Sequence, residues 1–146
     1  MEVFFQKLRN NAVLPTRATP HSAGLDLYAC LSEPREIPPN EISMIPTGIA
    51  CEPSDFNVSM MIFARSGLAC KHGIGLANGV GVVDADYRGE ICVALINQSA
   101  KTFVVTDGMR IAQLVTIPII YPNVCLKNEL EESIRGEGGF GSTGLN

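Results

Sequence analysis

The chain is 146 residues long, a length that suits one domain and leaves two independent cores cramped. Hydrophobic residues make up 46% and charged residues 18%, enough apolar content to bury a core and too much for a disordered chain. The net charge of −4 argues against a general nucleic-acid binder. No stretch is apolar for the ~18 residues that a membrane span requires, and Met1 to Asn10, with Glu2, Lys7 and Arg9, lacks the apolar run of a signal peptide.

Short β-type runs broken by turn residues dominate the chain. Val3-Phe4-Phe5 predicts an opening strand, and Leu25 to Ala29 an alternating one. Pro38-Pro39-Asn40 marks a turn between Ile37 and a strand over Ile42 to Ile45. Val58 to Phe63, Ile91 to Ile96 and Ile111 to Ile120 read as further strands, rich in β-branched residues. The best helical segment is one or two turns near Ser66 to Lys71, and no long stretch repeats with helical period. This pattern predicts an all-β barrel or sandwich, a jelly roll in type.

Five cysteines, Cys30, Cys51, Cys70, Cys92 and Cys125, are odd in number and lack a C-x-x-C pair. They read as free thiols of a reducing, cytoplasmic protein rather than a disulfide framework or zinc site. From Lys127 the composition changes, and five of the nine residues from Gly136 to Gly144 are glycine. Such a segment is entropically costly to fix. It predicts a body over 1–126 and a mobile arm over 127–146, ordered only by a ligand.

Four segments carry residues suited to chemistry. In the arm, glycine amides can cradle phosphate, with Arg135 as a cation, Ser142 and Thr143 as donors and Phe140 as a stacking ring; a plain disordered tail is the alternative. In Gly81 to Glu90, a strand ends at Val83 and a second begins at Ile91, predicting a β-hairpin. Asp84 at its polar mouth is either a partly buried general base or a turn former. Arg65-Ser66-Gly67 is either a phosphate-binding set or a surface salt bridge with a helix cap. Arg110 and Gln113, leading into a strand, suit anion binding and the positioning of water, or are ordinary strand polarity.

Taken in order, and joined by Ala23-Gly24-Leu25-Asp26-Leu27-Tyr28-Ala29, these segments resemble the five signature motifs of the trimeric dUTPases. The resemblance runs from about Phe4 to Gly144 and rests most specifically on Gly81-Val82-Val83-Asp84-Ala85-Asp86-Tyr87-Arg88-Gly89 and on Arg135 to Gly144. It implies a jelly-roll-like β-barrel with a flexible glycine-rich arm, assembled as a homotrimer whose sites are shared between subunits. It also implies hydrolysis of dUTP to dUMP and pyrophosphate, with no nucleic-acid or membrane partner. By resemblance Asp84 is the general base and Gln113 holds water and phosphate. Arg65, Ser66, Gly67 and Arg110 serve the phosphates. Asn78 and the backbone of Gly81, Val82, Val83 and Asp84 read the uracil edge. Tyr87 lies beneath the deoxyribose and excludes a 2′-hydroxyl, and Cys92 adds backbone contacts. Phe140 closes over uracil, while Arg135, Gly141, Ser142 and Thr143 close on the γ-phosphate. A Mg²⁺ ion is implied, held by phosphates and water, with Asp26 acting at most through water or serving structure alone. Leu25 and Met109 depart from the family pattern, which has an aromatic and often an acidic residue there. A dCTP deaminase of the same fold, and a regulatory binding role such as some phage members have, are the competing readings.

Overall fold

The computed structural model describes residues 1–139. In chain order they form β1 (Val3–Lys7), β2 (Leu25–Tyr28), β3 (Arg35–Ile37), β4 (Ile42–Pro46), β5 (Ile49–Pro53) and β6 (Val58–Ala64). The helix α1 (Ser66–His72) follows, then β7 (Ile74–Leu76), β8 (Gly81–Val83), β9 (Cys92–Asn97), β10 (Phe103–Val105) and β11 (Arg110–Pro118). The all-β class and the short helix at Ser66 are as the sequence predicts. β3, β7 and β10 are three residues each, too short for a two-residue period to register.

The strands pair antiparallel in four sheets: β1 with β5, β3 with β10, β4 and β7 on either side of β9, and the row β2-β11-β6-β8. No two strands consecutive in the chain are paired. This corrects two expectations. The ladders described do not close into a continuous barrel. They are four sheets around one core, linked by single bonds such as Cys30 N–H to Pro46 O at 2.8 Å and Ile91 N–H to Ile49 O at 2.9 Å. Nor do β8 and β9 form a hairpin, because β8 pairs with β6 and β9 with β4 and β7. Residues 84–91 therefore cross from one sheet to another.

One core fills the space between the sheets. Leu27, Met60 and Leu114 enter it from the four-stranded sheet, Ile45 and Leu95 from the three-stranded one, and Ile37 from β3, all with under 2% of their surface exposed. Alternation decides the faces. Along β6, Met60 and Ile62 point inward and Met61 and Phe63 outward. Along β8, Gly81 and Val83 point inward and Val82 outward. Asp84 continues this alternation and is exposed in the single chain, which is the position of a turn residue and not the partly buried one that the sequence also allows. No helix among the described residues is long and apolar enough to cross a membrane.

All five cysteines are free. Burial pushes the Cys30, Cys51 and Cys92 thiols above their ordinary values, whereas Cys70 and Cys125 are exposed. Among the described residues no strand follows β11. Its last bonds to the body are Ile119 N–H to Asn57 O and Tyr121 hydroxyl to Phe56 O, both 2.8 Å.

The only fully buried polar side chain of β9 is the joint between two sheets. Asn97 donates to the carbonyls of Ile37 and Lys101 at 2.8 Å, and its oxygen accepts from the Ser99 amide and hydroxyl at 2.9 and 2.8 Å. Asn97→Ala leaves these groups without partners in a dry interior. It should cost about 2–4 kcal/mol, read as a lowered urea midpoint with the m-value unchanged.

Candidate active site

Two groups of expected residues flank β6, one where the strand ends and the other along its β8 edge, with Asp84 beyond the opposite end of that edge. The first gathers where β6 runs into α1. Arg65 is the extended residue before the helix, and Ser66 is its first helical residue. The Arg65 Nε donates to Asp26 Oδ1 at 2.9 Å, and the Arg110 Nη1 donates to Asp26 Oδ2 at 3.1 Å. Arg65 also donates to the Arg110 carbonyl at 3.3 Å. One carboxylate, 13% exposed, therefore holds two guanidinium groups side by side. Without it the two cations would repel at close range. Both Asp26 oxygens are engaged in this way, which gives the residue a positioning role toward the arginines.

Gln113 completes this end. It faces Phe63 across the β6–β11 ladder and Asp26 across the β2–β11 ladder. Its amide donates to the Ala64 carbonyl at 3.0 Å. Gly24 makes room for it: a Cβ there would lie 2.8 Å from the Gln113 Oε1. Ser66 and Gly67 are exposed beside these groups. The result is a half-open cationic corner with a side-chain amide beside it, suited to a chain of phosphates.

The second group lines a cleft of about 250 Å³ along the β8 edge of β6. Asn78, Gly81, Val82, Val83, Asp84, Tyr87 and Cys92, the residues expected around base and sugar, all line it. So do Met44, Ile62, Glu90 and Ile91, which sequence reasoning missed. No local signal marks them, because β4 and residues 84–91 meet only through tertiary pairing. The cleft floor is fixed by Ser59, whose hydroxyl donates to the Val83 carbonyl at 2.9 Å. A larger cleft of about 510 Å³ between Lys71 and Phe103 holds none of the expected residues.

The two groups do not meet within one chain. Val83 pairs with Met60, so Asp84 falls beside Ser59, while Arg65 follows Ala64. Six residues of strand separate them by about 20 Å. Arg135 lies farther along, exposed, with its Nε donating to the Gly138 carbonyl at 2.7 Å. Phe140, Gly141, Ser142 and Thr143 lie outside the described residues.

Asp26→Asn tests the arginine tether. An asparagine offers one acceptor oxygen and turns an NH₂ group toward the second guanidinium. The loss should be about 1–2 kcal/mol, discounted for partial exposure, measured by thermal unfolding at matched ionic strength.

The dUTPase family model matches residues 10–144. The deoxyuridine 5'-triphosphate nucleotidohydrolase of Desulfitobacterium hafniense strain DCB-2 is 54% identical over 132 residues, 90% of this chain and 87% of that protein. Among solved structures, a mutant dUTPase of Staphylococcus bacteriophage 80alpha with dUpNHpp superposes with a TM-score of 0.89 at 26% identity, over 99% of both chains. A mutant dUTPase of phage phi11 of S. aureus, described with a structural Mg(II) ion, shares the fold, with a TM-score of 0.81 at 22% identity over 90% of this chain and all of that one. With the cationic corner and the Asp84–Tyr87 cleft in their expected motifs, this chain belongs to the dUTPase family.

Proposed function

We propose that this chain hydrolyses dUTP to dUMP and pyrophosphate, working as a homotrimer in which each active site joins parts of different subunits. The activity keeps uracil out of DNA and supplies dUMP for thymidylate synthesis. The observation that carries the shared site is the separation of about 20 Å along β6. A base at Asp84 cannot reach a phosphate held at Arg65 and Arg110 of the same chain. Apposition of one subunit's cleft with another's arginine corner removes the gap. Exposed apolar side chains on the body, Met44, Phe56 and Val82 among them, provide surface for such contacts. In this assembly the four sheets take the jelly-roll arrangement of the family.

The chemistry follows from the two half-sites. Asn78 and the backbone from Gly81 to Asp84 take the uracil edge, with Cys92 adding backbone contacts beside them. Tyr87 lies beneath the deoxyribose. Arg65, Arg110 and Ser66 take the phosphates, whose ~4 negative charges would otherwise repel an attacking oxygen. The Asp84 carboxylate, exposed in the single chain, accepts a proton from water as that water attacks the α-phosphorus, and pyrophosphate leaves. Gln113 orients water and phosphate through its amide. The arm over 127–146 closes the site, Arg135 with Gly141, Ser142 and Thr143 on the γ-phosphate and Phe140 over the base.

Mg²⁺ fits this arrangement as an ion carried by the substrate. Among the described residues no three His, Cys, Asp or Glu side chains cluster as a metal cage, and Asp26 is occupied by arginines. The ion's contribution is to neutralise phosphate charge. The five free thiols suit a cytoplasmic setting.

Subunit sharing has a direct test. Asp84→Asn and Arg65→Ala should each lower dUTP turnover by about 10²–10⁴-fold. Unfolding and refolding the two variants together should restore about a quarter of parental activity, because a mixed trimer contains one site with both residues intact. No recovery on mixing would return both residues to one chain.

Gly67 provides a second test. A Cβ at Gly67 meets nothing within 4 Å, and glycine inside a helix costs about 0.5–1 kcal/mol relative to alanine. The chain itself therefore gains nothing from the glycine, and close approach of a phosphate explains it. Gly67→Ala should raise the melting temperature while lowering kcat/KM for dUTP; a stable variant with parental kinetics would remove Gly67 from the site.

A further inference from the structure

The segment from Asp84 to Ile91 joins two different sheets and has no ladder of its own; the Ile91 N–H on the Ile49 carbonyl at 2.9 Å holds its end, and side chains brace the rest. On one side Arg88 donates to the carbonyls of Ala85 and Tyr87 at 2.8 and 3.1 Å and pairs with Glu52 of β5 at 3.1 Å. On the other side Glu90 accepts from the Gly48 amide at 2.8 Å and from Arg9 at 3.1 Å. The arginines are nearly half exposed, and ion pairs of that kind contribute little. The Glu90–Gly48 bond differs, because a carboxylate accepting a backbone N–H is charge-assisted and Gly48 is buried. Gly48 also admits no side chain: its φ is +69°, and a Cβ there would lie 2.7 Å from the Cys30 sulfur and 2.8 Å from the Ala12 Cβ.

Glu90 is linked in turn to the cleft. Its carbonyl accepts the Tyr87 hydroxyl at 3.1 Å. The Tyr87 ring lies so close over Gly89 that a methyl group there would run into the ring and its hydroxyl. The Tyr87 amide bonds to the Asp84 carbonyl at 3.1 Å. A continuous path therefore runs from the fixed Gly48 amide, through the Glu90 carboxylate and backbone, to the ring of Tyr87.

We propose that Glu90 is a positioning residue for sugar selectivity: the bond from the Gly48 amide to its carboxylate, acting with the bond of the Ile91 N–H to the Ile49 carbonyl on the adjoining peptide unit, fixes the carbonyl on which the Tyr87 hydroxyl rests, and so sets the space beneath the deoxyribose. This rests on the dUTPase reading and on Tyr87 lying under the sugar. Glu90 touches no reacting atom. Its effect falls on discrimination between dUTP and UTP, a quantity that mere loss of stability does not change.

The experiment compares kcat/KM for dUTP and UTP in the parent, Glu90→Ala, Glu90→Gln and Tyr87→Phe proteins. Glu90→Ala should lower the dUTP/UTP ratio at least about tenfold, since small displacements of a positioning group carry large kinetic effects. Glu90→Gln keeps an oxygen for the Gly48 amide and should retain most of the parental ratio despite losing the Arg9 pair. Tyr87→Phe should lower the ratio in the same way. A parental ratio in Glu90→Ala, or a glutamine variant no better than alanine, overturns the proposal. If Glu90→Ala does not fold, a parental ratio in Tyr87→Phe overturns it instead. A parent protein that leaves dUTP intact overturns the functional reading and this proposal with it, whereas an active parent whose Glu90→Ala variant keeps the parental ratio overturns this proposal alone.

Discussion

β6 pairs with β11 along one edge and β8 along the other, and its length sets the terms for the rest of the molecule. At one end β11 and β2 bring Gln113, Arg110 and Asp26 to Arg65; at the other end β8 delivers Asp84 to the cleft. A strand is a stiff spacer, because its ladder bonds on both edges resist bending or slipping. A slip of one residue would turn Met60 and Ile62 out of the core. The distance between the half-sites is therefore as well determined as the core itself, and a second copy of the chain is the simplest means of spanning it.

Electrostatics imposes a second constraint. On the proposed reading the corner binds a polyphosphate, and it must hold cations close together before the phosphate arrives. Asp26 resolves the conflict by holding Arg65 and Arg110 on its two oxygens. Their remaining N–H groups keep their directions, so little reorganisation is left for the binding step. The low overall charge of the chain, −4, does not oppose this, because the field that matters is local.

Much of the site was legible in the sequence because its chemistry is local. Arg65-Ser66-Gly67 and the residues from Gly81 to Tyr87 are contiguous, and each set acts as a contiguous unit in the fold. What sequence could not convey is pairing. Val83 and Ile91 read as the two sides of a hairpin, yet their strands enter different sheets, and period-two alternation identifies a strand without naming its partner. The same limit hid Glu90, whose partner Gly48 lies 42 residues away, and Met44, which reaches the cleft only because β4 pairs with β9. At Asp84 the sequence left two readings open, a partly buried base after apolar residues and an exposed turn former. Extending the alternation of β8 one residue further would have placed it outward.

Because no strand pairs with its neighbour in the chain, the protein has a particular folding history. Each ladder closes a long loop before any contact offsets the entropy lost. The central sheet needs β11, which ends at Pro118, so on a ribosome the chain must emerge at least that far before this sheet can form. Until then β6, with its run of apolar residues, has β8 on one edge but lacks β11 on the other, which stays open. Chaperone binding or rapid completion of synthesis is the natural protection for such a nascent chain.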